Sequence, residues 1–160
     1  MDLDKQLRET EILKAQSWGK LLSICKKQFE EWSINRLCSH GYDNFKIAYM
    51  PVLMNIKLEG TSNNELAKVA RVTKQAMSKV VKELTDMGYI KSKVSPEDKR
   101  NSIISLTDKG KKLVIEARYA VRDLMNEYRE VFGKKEFDSM LQLMQKMIEY
   151  NDQKLLAKND

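Results

Sequence analysis

A mostly α-helical protein carrying one β-hairpin is what this sequence predicts, and three observations carry that expectation. Of 160 residues, 42% are hydrophobic and 32% charged, with only 6 Gly and 2 Pro, a balance that suits helices rather than a turn-rich β sandwich. Apolar residues recur at steps of three and four toward both ends of the chain, which is helical periodicity. Only the stretch from Tyr89 to Leu106 gathers Tyr, Ile and Val on either side of a Pro-containing turn, as paired strands do.

The elements follow in order. From about Asp4 to Leu37, Trp18, Leu21, Leu22, Cys25, Phe29 and Trp32 trace the apolar side of one long amphipathic helix. His40-Gly-Tyr-Asp43 interrupts it, and Asp43 is placed to cap a second helix from Asn44 to Lys57, which Pro51 should kink. Glu59-Gly60 ends that segment. Ser62-Asn-Asn-Glu65 reads as a capping box, the hydroxyl accepting from the third helical N–H while the carboxylate reaches back to the cap. It opens a short helix from Asn63 to Ala70. Arg71-Val72 makes a turn, and Thr73 caps a third helix that runs to Met87 before Gly88 stops it.

Residues 89–95 and 101–106 then form the hairpin, turning at Pro96-Glu-Asp98, and are the only β structure expected. Thr107 and Asp108 favour a helix start. The helix that follows carries Leu113, Ala117, Val121, Leu124, Tyr128 and Val131 at nearly heptad spacing. Past Gly133 the last helix repeats the theme with Phe137, Met140, Leu141, Met144, Met147, Ile148 and Leu155. The layout separates helical ends, residues 1–40 and 111–160, from a central lobe, 41–110. The stripes at both ends need more cover than one small subunit offers, which points to a homodimer.

Composition narrows the function. The chain carries a net charge of +6, and between Thr61 and Gly110 ten Lys/Arg face six Asp/Glu, so most of the excess sits in the middle third. That distribution suits a polyanion. Cys25 and Cys38 are too few for a disulfide framework and, with one His, make no zinc pattern; no metal and no cofactor is expected. The first residues are charged, and no apolar run reaches the length of a membrane span. A cytoplasmic protein with no membrane partner is the expectation. An enzyme fits poorly, because there is no glycine-rich phosphate loop, nucleophile elbow or metal-ligand cluster.

On a wheel of roughly 100° per residue the helix after Thr73 separates into two faces. Ala76, Met77, Val80, Val81, Leu84 and Met87 share one; Lys74, Gln75, Ser78, Lys79 and Lys82 share the other. Lys and Gln reach base edges in a major groove, Ser contacts base or phosphate, and a helix amino end, here Thr73, favours phosphate oxygens. A solvated face is the bland alternative, and the context of cap, turn, helix and hairpin favours the nucleic-acid interface. In the hairpin, Arg100 stands where a guanidinium can enter a minor groove. Asp98 is expected to pair with Arg100 or the turn amides and fix the tip, while Lys91, Lys93 and Lys99 supply phosphate contacts.

These residues resemble the multiple-antibiotic-resistance regulator (MarR) family of winged helix-turn-helix transcription factors in bacteria and archaea. The likeness runs through Asn64-Glu-Leu-Ala-Lys68, Val72-Thr-Lys-Gln-Ala-Met-Ser-Lys79, Leu84-Thr-Asp-Met-Gly-Tyr-Ile90, Asp98-Lys-Arg100 and Ser105-Leu-Thr-Asp-Lys-Gly110. It implies a winged lobe on an intertwined dimerisation region of amino- and carboxy-terminal helices, reading a pseudo-palindromic operator with half-sites roughly 10 bp apart. It also implies a switch worked by a small aromatic or lipophilic effector, for which Trp18, Trp32, His40, Tyr42, Tyr49 and Met54 are cleft candidates, although core or interface roles are the simpler reading of each. A repressor is expected rather than an activator, because a dimer seated on an operator blocks polymerase without further contacts. One departure is Arg71, where relatives often carry Gly; a positive φ there costs on the order of 1 kcal/mol. Two alternatives stand beside this reading: a winged-helix adaptor that binds protein rather than DNA, and a redox sensor working through Cys25. On the apolar stripe that thiol more often serves as an inert small hydrophobe, and Cys38 is no better placed.

Overall fold

The computed structural model describes residues 2–15, 17–94 and 102–156. Among the described residues, seven α-helices and a small antiparallel sheet follow one another as α1 (Leu3–Ala15), α2 (Trp18–Cys38), a 3-10 turn (Ile47–Tyr49), α3 (Met50–Met54), β1 (Thr61–Ser62), α4 (Asn63–Val69), α5 (Lys74–Asp86), β2 (Ile90–Val94), β3 (Ser102–Leu106), α6 (Asp108–Phe132) and α7 (Lys134–Leu156). They divide into two compact units, Met1–Gly110 and Lys111–Asp160. The mostly helical class and the winged arrangement of α3 to β3 are those the sequence predicts.

The single long helix expected at the amino terminus is two. Ser17 adopts an extended backbone and its hydroxyl accepts from the Lys20 amide, so α2 begins afresh at Trp18. The apolar repeat used to trace the helix starts only there, and the Ser17 cap ahead of it is the signal that marks the break. Along α2 the buried residues are Ser33 and Leu37, at its carboxy end, while Trp18, Leu21, Leu22 and Phe29 are exposed in the single chain.

The helix expected from Asn44 to Lys57 is also shorter. Asp43 caps nothing; the chain is extended at Lys46, makes a 3-10 turn and enters α3 with Pro51 in the first turn. A helix running through from residue 44 would need a Pro51 N–H it does not have, whereas in a first turn that N–H has no helical partner to lose.

The core of the winged lobe is built by Leu53, Leu66, Met77, Leu84, Ile90 and Ile104, all essentially inaccessible. Phe45 meets Tyr49 and Tyr89 edge to face, with ring centroids 6.2 and 5.1 Å apart. β2 and β3 pair from Ile90 opposite Leu106 to Val94 opposite Ser102. A third strand not expected from the sequence lies on the other side of β3: Thr61 pairs with Ile104 and Ser62 with Ile103. Two residues are too short for an alternation pattern to reveal, and Ser62 serves at once as strand end and helix cap. Within the second unit, Arg129 donates to Asp138 at 2.8 Å and Tyr128 packs on Phe137, joining α6 to α7. Leu113, Val114, Ala120 and Phe137 are buried there.

Candidate nucleic-acid interface

The interface is assembled by caps. Ser62 Oγ accepts from Glu65 N at 3.2 Å and the Glu65 carboxylate accepts from Ser62 N at 2.9 Å, so the capping box is complete. These hydrogen bonds hold the Glu65 carboxyl below its ordinary value, the Ser62 amide contributing most. Thr73 Oγ1 accepts from Ala76 N and starts α5. Between the caps α4 closes in a Schellman turn, with Val72 N donating to Ala67 O and Arg71 N to Lys68 O. The left-handed position in that turn is Arg71, at φ 54°, so the strain expected from the missing glycine is present. α5 ends in the same motif, Tyr89 N to Leu84 O and Gly88 N to Thr85 O, with Gly88 in the left-handed place.

The wing is anchored to the end of α5 by the Thr107-Asp-Lys-Gly110 segment. Thr107 Oγ1 donates to Gly88 O at 2.7 Å and accepts from Gly110 N at 3.2 Å. Lys109 donates to Met87 O at 2.8 Å, on the carbonyl end of α5, with its ammonium 4.3 Å from the centre of the Tyr89 ring. Gly110 lies against the Tyr89 backbone so closely that any Cβ would overlap the carbonyl oxygen. That contact is the physical reason for glycine at the end of the segment.

α5 presents Lys74, Gln75, Ser78, Lys79 and Lys82 to solvent and buries Met77 and Leu84; Val80, Val81 and Met87 are half-buried. Ala76 departs from the expected division. It sits at the edge of the apolar arc and is exposed. Ser78 is more committed than its position implies, since its hydroxyl donates to Lys74 O at 2.8 Å and accepts from Asn63 Nδ2 at 3.1 Å, tying α4 to α5. Lys74, Gln75, Lys79 and Lys82 are left as the longer reach of this face. Lys82 pairs with Asp86 at 3.7 Å, a solvent-exposed pair that holds it only weakly. Lys91 and Lys93 are exposed on β2, two residues apart. Asp98, Lys99 and Arg100 lie outside the described residues.

Sequence reasoning missed a cluster on the flank of α5. Glu83 accepts from the Tyr49 hydroxyl and from Lys46 Nζ, the latter at 3.0 Å, and Lys46 Nζ also donates to Tyr49 at 3.0 Å. Hydrogen bonds from Tyr49 and then Lys46 hold the Glu83 carboxyl below its ordinary value, and the same partners push the Lys46 ammonium up. Neither partner is a helical neighbour of Glu83, so no spacing rule points to them.

Of the six cleft candidates, Trp18 and Trp32 are not brought together within one chain. Trp18 and Trp32 stand at opposite ends of fourteen residues of α2, about 21 Å apart. Trp32 stacks on Phe29 at 5.7 Å; His40, just past α2, is exposed and donates from Nδ1 to Arg36 O at 2.9 Å. Tyr49 is buried, and Tyr42 and Met54 are half-buried. Cys25 and Cys38 are both exposed free thiols in the single chain. Among the described residues no helix is long and apolar enough to cross a membrane.

With caps, wing anchor and exposed α5 face in place, the chain can be compared with known proteins. The MarR family model matches residues 44–101. Over those residues the chain is similar to the MarR family. No curated protein sequence matches the chain. Among solved structures, the MarR-type fold is shared with Streptococcus pneumoniae FabT in complex with DNA (TM-score 0.78, 16% identity, 87% of this chain and 98% of that one). It is also shared with the transcriptional repressor CouR bound to a 23-mer DNA duplex (0.71, 20%, 84% and 94%). An Escherichia coli MarR mutant complexed with operator DNA is similar as well (0.70, 22%, 86% and 96%).

Proposed function

We propose that the protein is a homodimeric, sequence-specific regulator of transcription that binds double-stranded DNA, acting as a repressor released by a small-molecule effector. The observation that carries the DNA reading is the outward face of α5. Gln75, Lys79 and Lys82 are exposed together on a helix whose opposite side, Met77 and Leu84, is locked into the lobe. A rigid helix presenting long donors suits base edges and phosphates in a major groove. Lys91 and Lys93 extend the basic surface along the wing, as phosphate contacts require. The DNA-bound structures of similar fold above support the same reading, and CouR is itself a repressor.

Dimerisation is supported by the apolar residues that α6 and α7 leave in the open, among them Ile115, Tyr119, Val131, Phe132, Leu143 and Ile148. Two-fold symmetry would set two α5 helices against two half-sites of a pseudo-palindromic operator, roughly 10 bp apart. The effector is the part that rests on family likeness and on the aromatic residues near α2 and α3.

The test is fluorescence anisotropy of a labelled duplex from upstream of the protein's own gene against excess random DNA. Binding that resists the competitor, weakens with salt at a slope of about 0.9 per phosphate contact, and falls by about 1–3 kcal/mol in Gln75→Ala supports the proposal. Equal affinity for every duplex overturns sequence reading, and absence of DNA binding at low salt moves the protein to the adaptor class.

A further inference from the structure

Two segments that are far apart in sequence meet at one carboxylate on the side of α5. Tyr49 is buried, and its ring is fixed edge to face against Phe45, which in turn meets Tyr89. A tyrosine held this way offers its hydroxyl as a fixed point rather than a mobile donor. That hydroxyl donates to Glu83 on α5, and Lys46 Nζ donates to both Tyr49 and Glu83 at 3.0 Å. Lys46 comes from the extended residue before the 3-10 turn and Tyr49 from the turn itself, so the segment leading into α3 grips the flank of α5.

Glu83 lies on the wheel roughly 40° from Lys79, at the border of the outward face. A carboxylate free to swing there would repel phosphates flanking a helix seated in a groove. Bound to Lys46 and Tyr49, it is held to the lobe side with its charge matched. Rotation of α5 about its own axis is constrained at the same time. A turn of about 20° would move a side-chain tip, about 6 Å from the axis, by about 2 Å. Base-edge hydrogen bonds do not survive that displacement, while phosphate contacts from long lysines do.

Resting on the DNA-binding reading above, we propose that Lys46 and Tyr49 are positioning residues for DNA recognition, clamping Glu83 so that α5 presents Gln75 and Lys79 at one fixed angle. Both partners of the ion pair have their charged forms favoured, Glu83 below its ordinary value and Lys46 above it, which accords with a clamp closed at neutral pH.

The experiment compares operator and scrambled duplexes of equal composition, the operator being selected from a random library by the wild-type full-length protein, at a temperature where every variant is folded. Tyr49→Phe deletes only the hydroxyl. It is expected to lower operator affinity about tenfold and scrambled-duplex affinity less than twofold, and to have no further effect in a Glu83→Met background, where the clamp is already open. A merely structural hydroxyl would lower the melting temperature and leave the operator-to-scrambled ratio unchanged. An unchanged ratio in Tyr49→Phe, or an equal loss in both backgrounds, overturns the clamp. If Gln75→Ala removes the preference while Tyr49→Phe keeps it, the DNA reading stands and the clamp falls; if the wild type selects no duplex, both fall together.

Discussion

The winged lobe and the last two helices use similar apolar residues to opposite effect. In the lobe, Leu53, Leu66, Met77, Leu84 and Ile104 are essentially inaccessible, whereas on α7 Leu143, Ile148 and Tyr150 each keep more than half of their surface. The periodicity is equally clear in both. The lobe folds its stripes against each other through short turns and a three-stranded sheet, so each face finds a neighbour within about fifty residues. Two long helices joined at Gly133 can cover only one side of each other. A hydrophobic pattern therefore shows which face is to be buried, and local topology decides whether the same chain can bury it.

The strongest way to break that comparison is to charge the open face. Leu143→Glu combined with Ile148→Glu is expected to raise the dimer dissociation constant by about a thousandfold, because two carboxylates would lose hydration in an apolar interface. Sedimentation should then report monomers at micromolar concentration. Dimers of normal stability would show that α7 is not the surface that pairs.

Within the lobe the largest expected effect is at Gly110. Gly110→Ala places a methyl group on the Tyr89 carbonyl, a backbone group with little room to yield, so a loss of about 3 kcal/mol in urea unfolding is expected. A near-neutral result would mean that the wing anchor can slide, making the lobe less rigid than its buried core implies.

Arg71→Gly should change stability in the other direction. The two Schellman turns differ in having Arg71 at φ 54° and Gly88 at φ 77°, and relieving the first is expected to add about 1 kcal/mol. A destabilised variant would mean that the arginine side chain contributes more to the folded lobe than its backbone strain removes.

The smallest effect concerns pH. Glu65 and Glu83 both have folded-state values below the ordinary 4.5. Their contribution is complete above that unfolded value and is lost as pH falls through the lowered folded values. Melting temperatures of the wild type and of Glu65→Gln and Glu83→Gln should converge below pH 4.5 and separate above it. Because both carboxylates are at the surface, the separation should be modest and shrink with salt.

Much of the lobe was legible in the sequence because short-range chemistry writes it. Ser62 and Thr73 announce their helices through hydrogen bonds three residues long, Gly88 marks a left-handed turn, and the strand pairing of Ile90 to Leu106 follows from alternation around one turn. The failures have equally local reasons. Asp43 looked like a cap, yet Pro51 cannot support the helix it would have capped; Ser17 was a cap overlooked inside a periodic stretch; β1 was too short to carry a period. Ser78 was read as a free contact, and only its neighbour Asn63, fifteen residues away, reveals its structural duty.

By itself, then, the sequence determined the helical class, the two faces of α5, the caps that frame it and the basic character of the middle third, because each depends on spacing along one chain or on formal charge. Only the tertiary structure decided that Lys46 and Tyr49 hold Glu83, that Thr107 and Lys109 fasten the carbonyl end of α5, and that Gly110 must lack a side chain. Those contacts join residues between 18 and 37 positions apart. No periodicity spans such separations, and the contacts exist only once the core has brought the elements within hydrogen-bond reach.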